Sequence, residues 1–305
     1  MANFERRLRQ LIQPGQRIFV AGSSNEPTAL LEQLALLQLP QGLRFLQFPI
    51  GGYNNTDFTQ FNSTATLTTF FMTPALRMAD PQRLHFLPMQ MRWVYDYLAN
   101  QVDVALIQVA KDAQGVLRLG PNVDFVAAVL NSAKVVIAEL NHNLLAPAGS
   151  PVIGADKIDL LYESERDLTT LPPPKVDQAA REIGAHVATL INDGDCLQTG
   201  IGAIPAAILQ QLEDKNDLGL HGGLIDDAGM HLIVKGNVSG RCKPIDTGLH
   251  VTGMALGSPQ LLDWLSRTPE VVFRGANHTH EVSTIARLPN FVSVNSAVEI
   301  DLFGQ

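Results

Sequence analysis

Two stretches of the chain follow one plan. Residues 14–34, PGQRIFVAGSSNEPTALLEQL, and residues 193–212, DGDCLQTGIGAIPAAILQQL, each run Gly-turn, strand, small-residue loop, proline, helix, and each ends in Gln-Leu. Pro27 and Pro205 suit the first turn of a helix, where a missing N–H costs nothing. The match predicts a duplicated α/β unit that opens with the same strand–loop–helix in both copies. Elsewhere short apolar runs alternate with helical segments, which calls for α/β architecture with largely parallel sheets. Strands are expected at 17–22, 103–109, 135–140, 195–200, 249–255, 270–273 and 291–295. Helices are expected at 27–38, 122–132, 175–191, 205–214 and 259–267. A first amphipathic helix should bury Phe4, Leu8, Leu11 and Ile12. The proline run 171-LPPPKV-176 is a stiff spacer, dividing the chain into units 1–174 and 175–305.

Composition narrows the partners. The 305 residues carry a net charge of −8 and no run of Lys or Arg, which argues against nucleic acid and against an anionic membrane surface. No apolar stretch is long enough to cross a bilayer, and the N-terminus lacks the apolar core of a signal peptide. Cys196 and Cys242 stand far apart. They fit a reducing, cytoplasmic compartment and leave no cysteine-based zinc site.

Several segments could carry chemistry. TGIGAIP (199–205) places glycines at a strand end that opens a helix, either an anion cradle or a tight turn. FPIGGYNNTDF (48–58) is either a substrate-side loop or simply a turn rich in residues that tolerate positive φ, and the turn is expected. In 277-NHTH-280 the two histidines should share one face of a strand. No third ligand lies nearby in sequence, so an exposed loop or edge is expected and no metal. The end, NSAVEIDLFGQ (295–305), alternates Val298, Ile300 and Leu302 against Glu299 and Asp301, as a half-buried strand would. In LGLHGGLIDDAG (218–229) an apolar strand gives way to His221, two glycines, and then Asp226 and Asp227.

Taken in order, AGSSNEPTALLEQL (21–34), FFMTPALR (70–77), DVALIQVA (103–110), RLGPNVDF (118–125), VVIAELNHN (135–143), GDCLQTGIGAIPAAIL (194–209), LGLH (218–221) and NSAVEIDLFGQ (295–305) resemble the acetyl-CoA hydrolase/transferase group of CoA-transferases, the group that contains 4-hydroxybutyrate and acetate CoA-transferases. The resemblance implies two α/β units of related fold, mostly parallel-sheeted, with acyl-CoA bound between them and the second unit incomplete.

Against that pattern the chain departs twice. Active members carry Ser/Thr-Glu-Met after the equivalent of LGLH. The alignment puts Gly222 on the Ser/Thr and Gly223 on the glutamate, the nucleophile that forms an acyl anhydride and then a glutamyl-CoA thioester. Gly223→Glu is therefore expected to fit. Family members also run on past the equivalent of Gln305 into a Gly-Gly-Gln loop that supplies an oxyanion donor. The resemblance accordingly points to coenzyme A, as acyl-CoA, for ligand. It gives Gly200, Gly202, Ala203, Gly222, Gly223 and Asn295 as the binding surface, with His221, Asp226, Asp227 and Glu299 as catalytic candidates. Three readings follow: a CoA-transferase component completed by a second subunit, within an oligomer; an acyl-CoA hydrolase or acyltransferase with non-glutamyl chemistry; and a non-catalytic acyl-CoA-binding protein.

Overall fold

The structure is a computed structural model that describes residues 2–297 and 299–304. Its first part contains α1 (Ala2–Leu11), β1 (Arg17–Val20), α2 (Thr28–Ala35), β2 (Arg44–Gln47), β3 (Thr66–Thr69), β4 (Leu84–Phe86), α3 (Met91–Leu98), β5 (Val104–Lys111), β6 (Leu117–Arg118), α4 (Val126–Ser132), β7 (Val135–Leu145) and β8 (Leu160–Ser164). The strands form one sheet in the order β4-β3-β2-β1-β5-β7-β8, all parallel, with β6 antiparallel on β5. Both faces of this sheet are covered. Ile18 and Val20 join Leu30, Phe45, Leu106 and Ile137 on one face, while Phe19 and Ala21 join Leu46, Ala105 and Ile107 on the other. That two-residue alternation, apolar on both sides, is why these strands read as continuous apolar runs. Leu8 in α1 and Ile12 just after it are buried as expected, and Phe4 and Leu11 are half-buried.

The second part holds α5 (Gln178–Ala188), β9 (Cys196–Thr199), α6 (Ala203–Leu209), β10 (Gly219–Leu220), β11 (Leu224–Ile225), α7 (Asp227–Lys235), β12 (His250–Thr252), β13 (Met254–Ala255), α8 (Pro259–Leu265), β14 (Val271–Phe273), α9 (Ala276–Thr279), α10 (Val282–Ile285) and β15 (Phe291–Val294). Its strands pair in parallel as β10-β9-β15, β11-β13 and β12-β14. One apolar cluster runs through both parts, from Phe19 and Val109 to Leu197, Leu220 and Leu265. Cys196 and Cys242 are unpaired. Among the described residues no helix is long and apolar enough to cross a membrane.

Strand order in the first sheet reverses between β1 and β5, and open α/β sheets bind ligands in the crevice at such a switch point. Here the crevice is filled by the second part. Ser24 Oγ donates to Ala255 O at 3.0 Å, Ala255 N to Pro121 O at 2.8 Å, and Val123 N to Gly253 O at 2.9 Å.

Five expected elements need correction. The run 249–255 is two strands in two different sheets, broken at Gly253, where a Cβ would strike the Asp124 carboxylate. The helix expected from 122 begins only at Val126, because Asn122 and Val123 pair with β13 and its flank. The helix expected at 205–214 spans Ala203–Leu209, and that expected at 175–191 starts at Gln178, with the Asp177 carboxylate accepting Ala180 N at 2.8 Å. Finally, no strand is found among the described residues of the terminal segment. β15 pairs with β9, and β9 ends at Thr199 before its chain turns away through Gly200–Gly202, so this ladder stops at Val294. Glu299, Ile300, Asp301 and Leu302 are exposed, and Val298 lies outside the described residues.

Candidate active site

The Gly222–Gly223 turn connects β10 to β11 and is held by its backbone. His221 bridges to Val251, Gly222 N donates to Val251 O at 3.1 Å, and Gly223 O accepts Met254 N at 2.9 Å. Neither glycine has a positive φ, so the backbone itself does not demand glycine at either position. Space does. A Cβ on Gly222 would lie 2.9 Å from Gln198 Cγ, and one on Gly223 would lie 2.6 Å from His280 Cε1 and 3.2 Å from Nε2. The seat expected to be empty at Gly223 is therefore occupied, by an imidazole delivered from the end of α9. Gly223→Glu requires that ring to swing aside, which corrects the expectation that the substitution simply fits.

Beside the turn lies a band of neutral polar groups. Ser293 Oγ donates to Gln198 Oε1, Asn295 Nδ2 donates to Ser293 Oγ at 3.2 Å, and a Cβ on Gly200 would sit 3.2 Å from Asn295 Oδ1. Register explains the grouping, since β15 lies against β9 with Ser293 opposite Gln198. Ser293 and Asn295 are exposed, Gln198 is half-buried, and Gly222 and Gly223 themselves are buried. Gly200, Gly222 and Asn295 are thus linked through Gln198 and Ser293, which the sequence did not single out.

On the other side, beginning at Leu224, is a cavity of about 440 Å³. Ile50, Leu171, Ile201, Leu209, Leu224 and Leu256 make it largely apolar, while Tyr53, Asp226, Asp227 and His231 supply polar edges. Gly202 lines it at φ +120°, a conformation only glycine adopts without strain. Ala203 follows as the first residue of α6. The 48–58 segment does turn, with Tyr53 N and Asn54 N donating to Ile50 O, and Ile50 and Gly51 also form cavity wall. Asn54 ties that wall to the loop after β1. Its Oδ1 accepts Ser23 N at 2.7 Å and its Nδ2 donates to Glu26 Oε2 at 2.9 Å. Burial pushes the Glu26 pKa up to about 7 against these hydrogen bonds.

Asp226 and Asp227 are tied to helix starts. The Asp226 carboxylate caps α7, accepting Gly229 N at 2.8 Å. That of Asp227 accepts Ser258 N at 3.0 Å and the Ser258 hydroxyl at the start of α8. Burial raises the Asp226 pKa. Asp226→Ala is expected to cost about 1 kcal/mol through loss of the cap, measured by urea unfolding; an unchanged midpoint would refute the capping role.

His221 faces away from any opening. It has no exposed surface, its ring lies 5.4 Å from that of His278, and burial first, then the Lys243 ammonium, pushes its pKa down to about 4. His278 and His280 do not share a strand face, because 276–279 is a helical turn. His278 Nε2 pairs with Asp246 at 2.9 Å. The donor atoms of His221, Asp246 and His278 lie within 4.8 Å of one another, so a third side chain absent from the local sequence is present in space. Glu299 stands exposed beyond β15. Asp124, which the sequence did not suggest, is 2% exposed against Gly253 and the Gly223 carbonyl, with Oδ1 unpartnered, and burial pushes its pKa up to about 8.

The comparisons with known proteins can now be set beside this geometry. Residues 5–171 match the acetyl-CoA hydrolase/transferase N-terminal domain and residues 257–305 the C-terminal domain of the same name. The chain is 38% identical over 205 residues to a 4-hydroxybutyrate coenzyme A transferase of Clostridium kluyveri, covering 67% of this chain and 48% of that one. It is 27% identical to a succinyl-CoA:acetate/propanoyl-CoA:succinate CoA transferase of Fasciola hepatica, over 96% of this chain and 63% of that one. RipA from Yersinia pestis superposes with a TM-score of 0.90 at 24% identity, over 98% of this chain and 73% of that one. The chain spans about half the length of several curated relatives it matches. With the N-terminal match alone covering more than half of its residues, the chain belongs to the acetyl-CoA hydrolase/transferase family.

Proposed function

We propose that the chain binds acyl-CoA thioesters and serves CoA transfer, with the acyl group in the cavity beside Leu224 and the thioester at the Gly222–Gly223 turn. The observation that carries this reading is convergence. The loop at 50–53, the proline run, the Gly202 loop and the 224–228 segment, distant in sequence, wall one apolar space of about 440 Å³. A space of that size suits a small ligand. Its acids, Asp226 and Asp227, suit an uncharged acyl chain and oppose the phosphates of the nucleotide end. The Clostridium kluyveri and Fasciola hepatica relatives, each called a CoA transferase, support the same ligand.

Transfer through a glutamyl thioester needs a carboxylate that Gly223 lacks. We propose that a second polypeptide supplies it, within an oligomer of a protein built from units 1–174 and 175–305. The same lack favours a second reading, thioester hydrolysis or binding without transfer. Titration calorimetry with a short acyl-CoA and with free CoA tests the binding. Leu224→Trp fills the cavity and is expected to weaken acyl-CoA by about tenfold or more, consistent with loss of a buried acyl group's contribution, while sparing free CoA. Equal weakening of both ligands would remove the acyl group from the cavity, and absence of any acyl-CoA binding would end the proposal.

A further inference from the structure

We infer that His280 is the general base of a thioester hydrolysis at the Gly222–Gly223 turn, an inference that rests on the acyl-CoA reading above. The first support is position. His280 Nε2 lies 3.2 Å from where a Cβ on Gly223 would stand, about as far as the carboxylate oxygens of a glutamate lie from that residue's own Cβ. The imidazole thus presents a basic atom close to the place from which a side chain at 223 would act, and the absence of a Cβ there is what lets the ring in.

Polarity of the ring comes next. His280 Nδ1 lies 2.9 Å from Thr279 Oγ1, and that hydroxyl can in turn donate to Gly275 O at 3.4 Å. With the hydroxyl proton directed to the carbonyl, Thr279 accepts from Nδ1–H and the lone pair is left on Nε2. An orienting partner on one nitrogen with a free lone pair on the other is the arrangement a general base requires. Desolvation lowers the His280 pKa, which keeps the ring neutral and able to take a proton. Access is the third support. His280 is half-buried and so keeps exposed surface of its own, although Gly222 and Gly223 beside it are buried.

The step balances without another reactant. Water oxygen bonds to the thioester carbonyl carbon as one of its protons passes to Nε2. The tetrahedral intermediate collapses, the carbon–sulfur bond breaks, and the departing thiolate takes the proton from the imidazolium. Carboxylic acid and CoA thiol are released, and the ring is neutral again.

Two substitutions test this on the full protein, one removing the base and one moving it. His280→Gln keeps much of the volume and is expected to lower kcat for a short acyl-CoA by about 100-fold or more, the usual contribution of a general base. Gly223→Ala removes no reactive group, but its methyl must displace the ring. It is expected to lower kcat by on the order of 100-fold as well, since misplacement by about 1 Å is costly. Thiol release is followed with a chromogenic disulfide, and acyl-CoA affinity is measured on the same samples by calorimetry. Affinity should change less than about threefold in either variant on this reading, because a base acts on the transition state and not on ground-state binding. Imidazole added to His280→Ala should restore part of the lost rate. Wild-type hydrolysis that survives either His280→Gln or Gly223→Ala undiminished would overturn the inference. So would binding of acyl-CoA with no hydrolysis by wild type, an outcome that leaves the acyl-CoA reading standing. Failure to bind acyl-CoA would remove that reading and this inference together.

Discussion

Truncating Arg166 to alanine is expected to destabilise the protein by about 3–5 kcal/mol, the cost of stranding a buried charge. The stranded group is Glu139 on β7, which has no exposed surface. Its Oε1 accepts Arg166 Nε at 2.7 Å and Ser164 Oγ at 2.7 Å, and its Oε2 accepts Leu30 N at 3.0 Å from α2. Arg166 also donates Nη2 to Glu26 O at 2.6 Å and to Gln108 Oε1 at 2.5 Å. One guanidinium therefore ties the loop after β1 to β5 and β7, beneath the wall of the cavity. Urea unfolding of Arg166→Ala at neutral pH measures the loss, and a change below about 1 kcal/mol would show that Glu139 does not depend on Arg166. Replacing both, as Arg166→Met with Glu139→Leu, should recover most of the loss, because the pair is then removed rather than broken.

The second large effect concerns Asp124 and pH. Burial raises its pKa from 3.8 to about 8 in the folded chain. Below pH 4 both folded and unfolded forms hold the proton, and the residue contributes no pH dependence. Between pH 4 and 8 the unfolded chain ionises while the folded one does not, so stability falls by about 1.4 kcal/mol per pH unit from this group. Above about pH 8 the folded form ionises too and the loss levels off. Asp124→Asn removes the term. It should be more stable than wild type by several kcal/mol near pH 7.5, with the gap closing as pH approaches 4. Paired melting curves across that range check the sign. A gap that widens toward acid would mean that Asp124 is ionised in the fold.

Much of this architecture was legible because apolar runs and parallel strands go together. β1, β9, β14 and β15 fall inside runs expected from the sequence, and β5 and β7 begin inside theirs and run on to Lys111 and Leu145. The strands that escaped notice carry weaker signals. β3 is Thr-Leu-Thr-Thr and β4 is Leu-His-Phe, and such edge and near-edge strands gain their state from neighbours, not from their own periodicity. At the site, the sequence brought out Gly200, Gly222 and Asn295 but not Gln198 or Ser293, since cross-strand register exists only after β9 and β15 pair. His280 was read as part of an exposed loop because nothing local marks a histidine that fills another residue's space. Asp124 was invisible for a related reason. Its burial is created by Gly253, more than a hundred residues away.

One feature of the core bears on how such a molecule comes into being. The same apolar cluster that lies under β1 and β5 continues beneath β9, β10 and α8. A cut within the prolines at 172–174 would leave two fragments, each with a raw apolar face where its counterpart had been. Neither would gain the full burial that offsets its chain entropy. During synthesis the first sheet emerges before the strands that fill its switch-point crevice exist, so that face must wait uncovered until β13 arrives. The two parts share one act of folding.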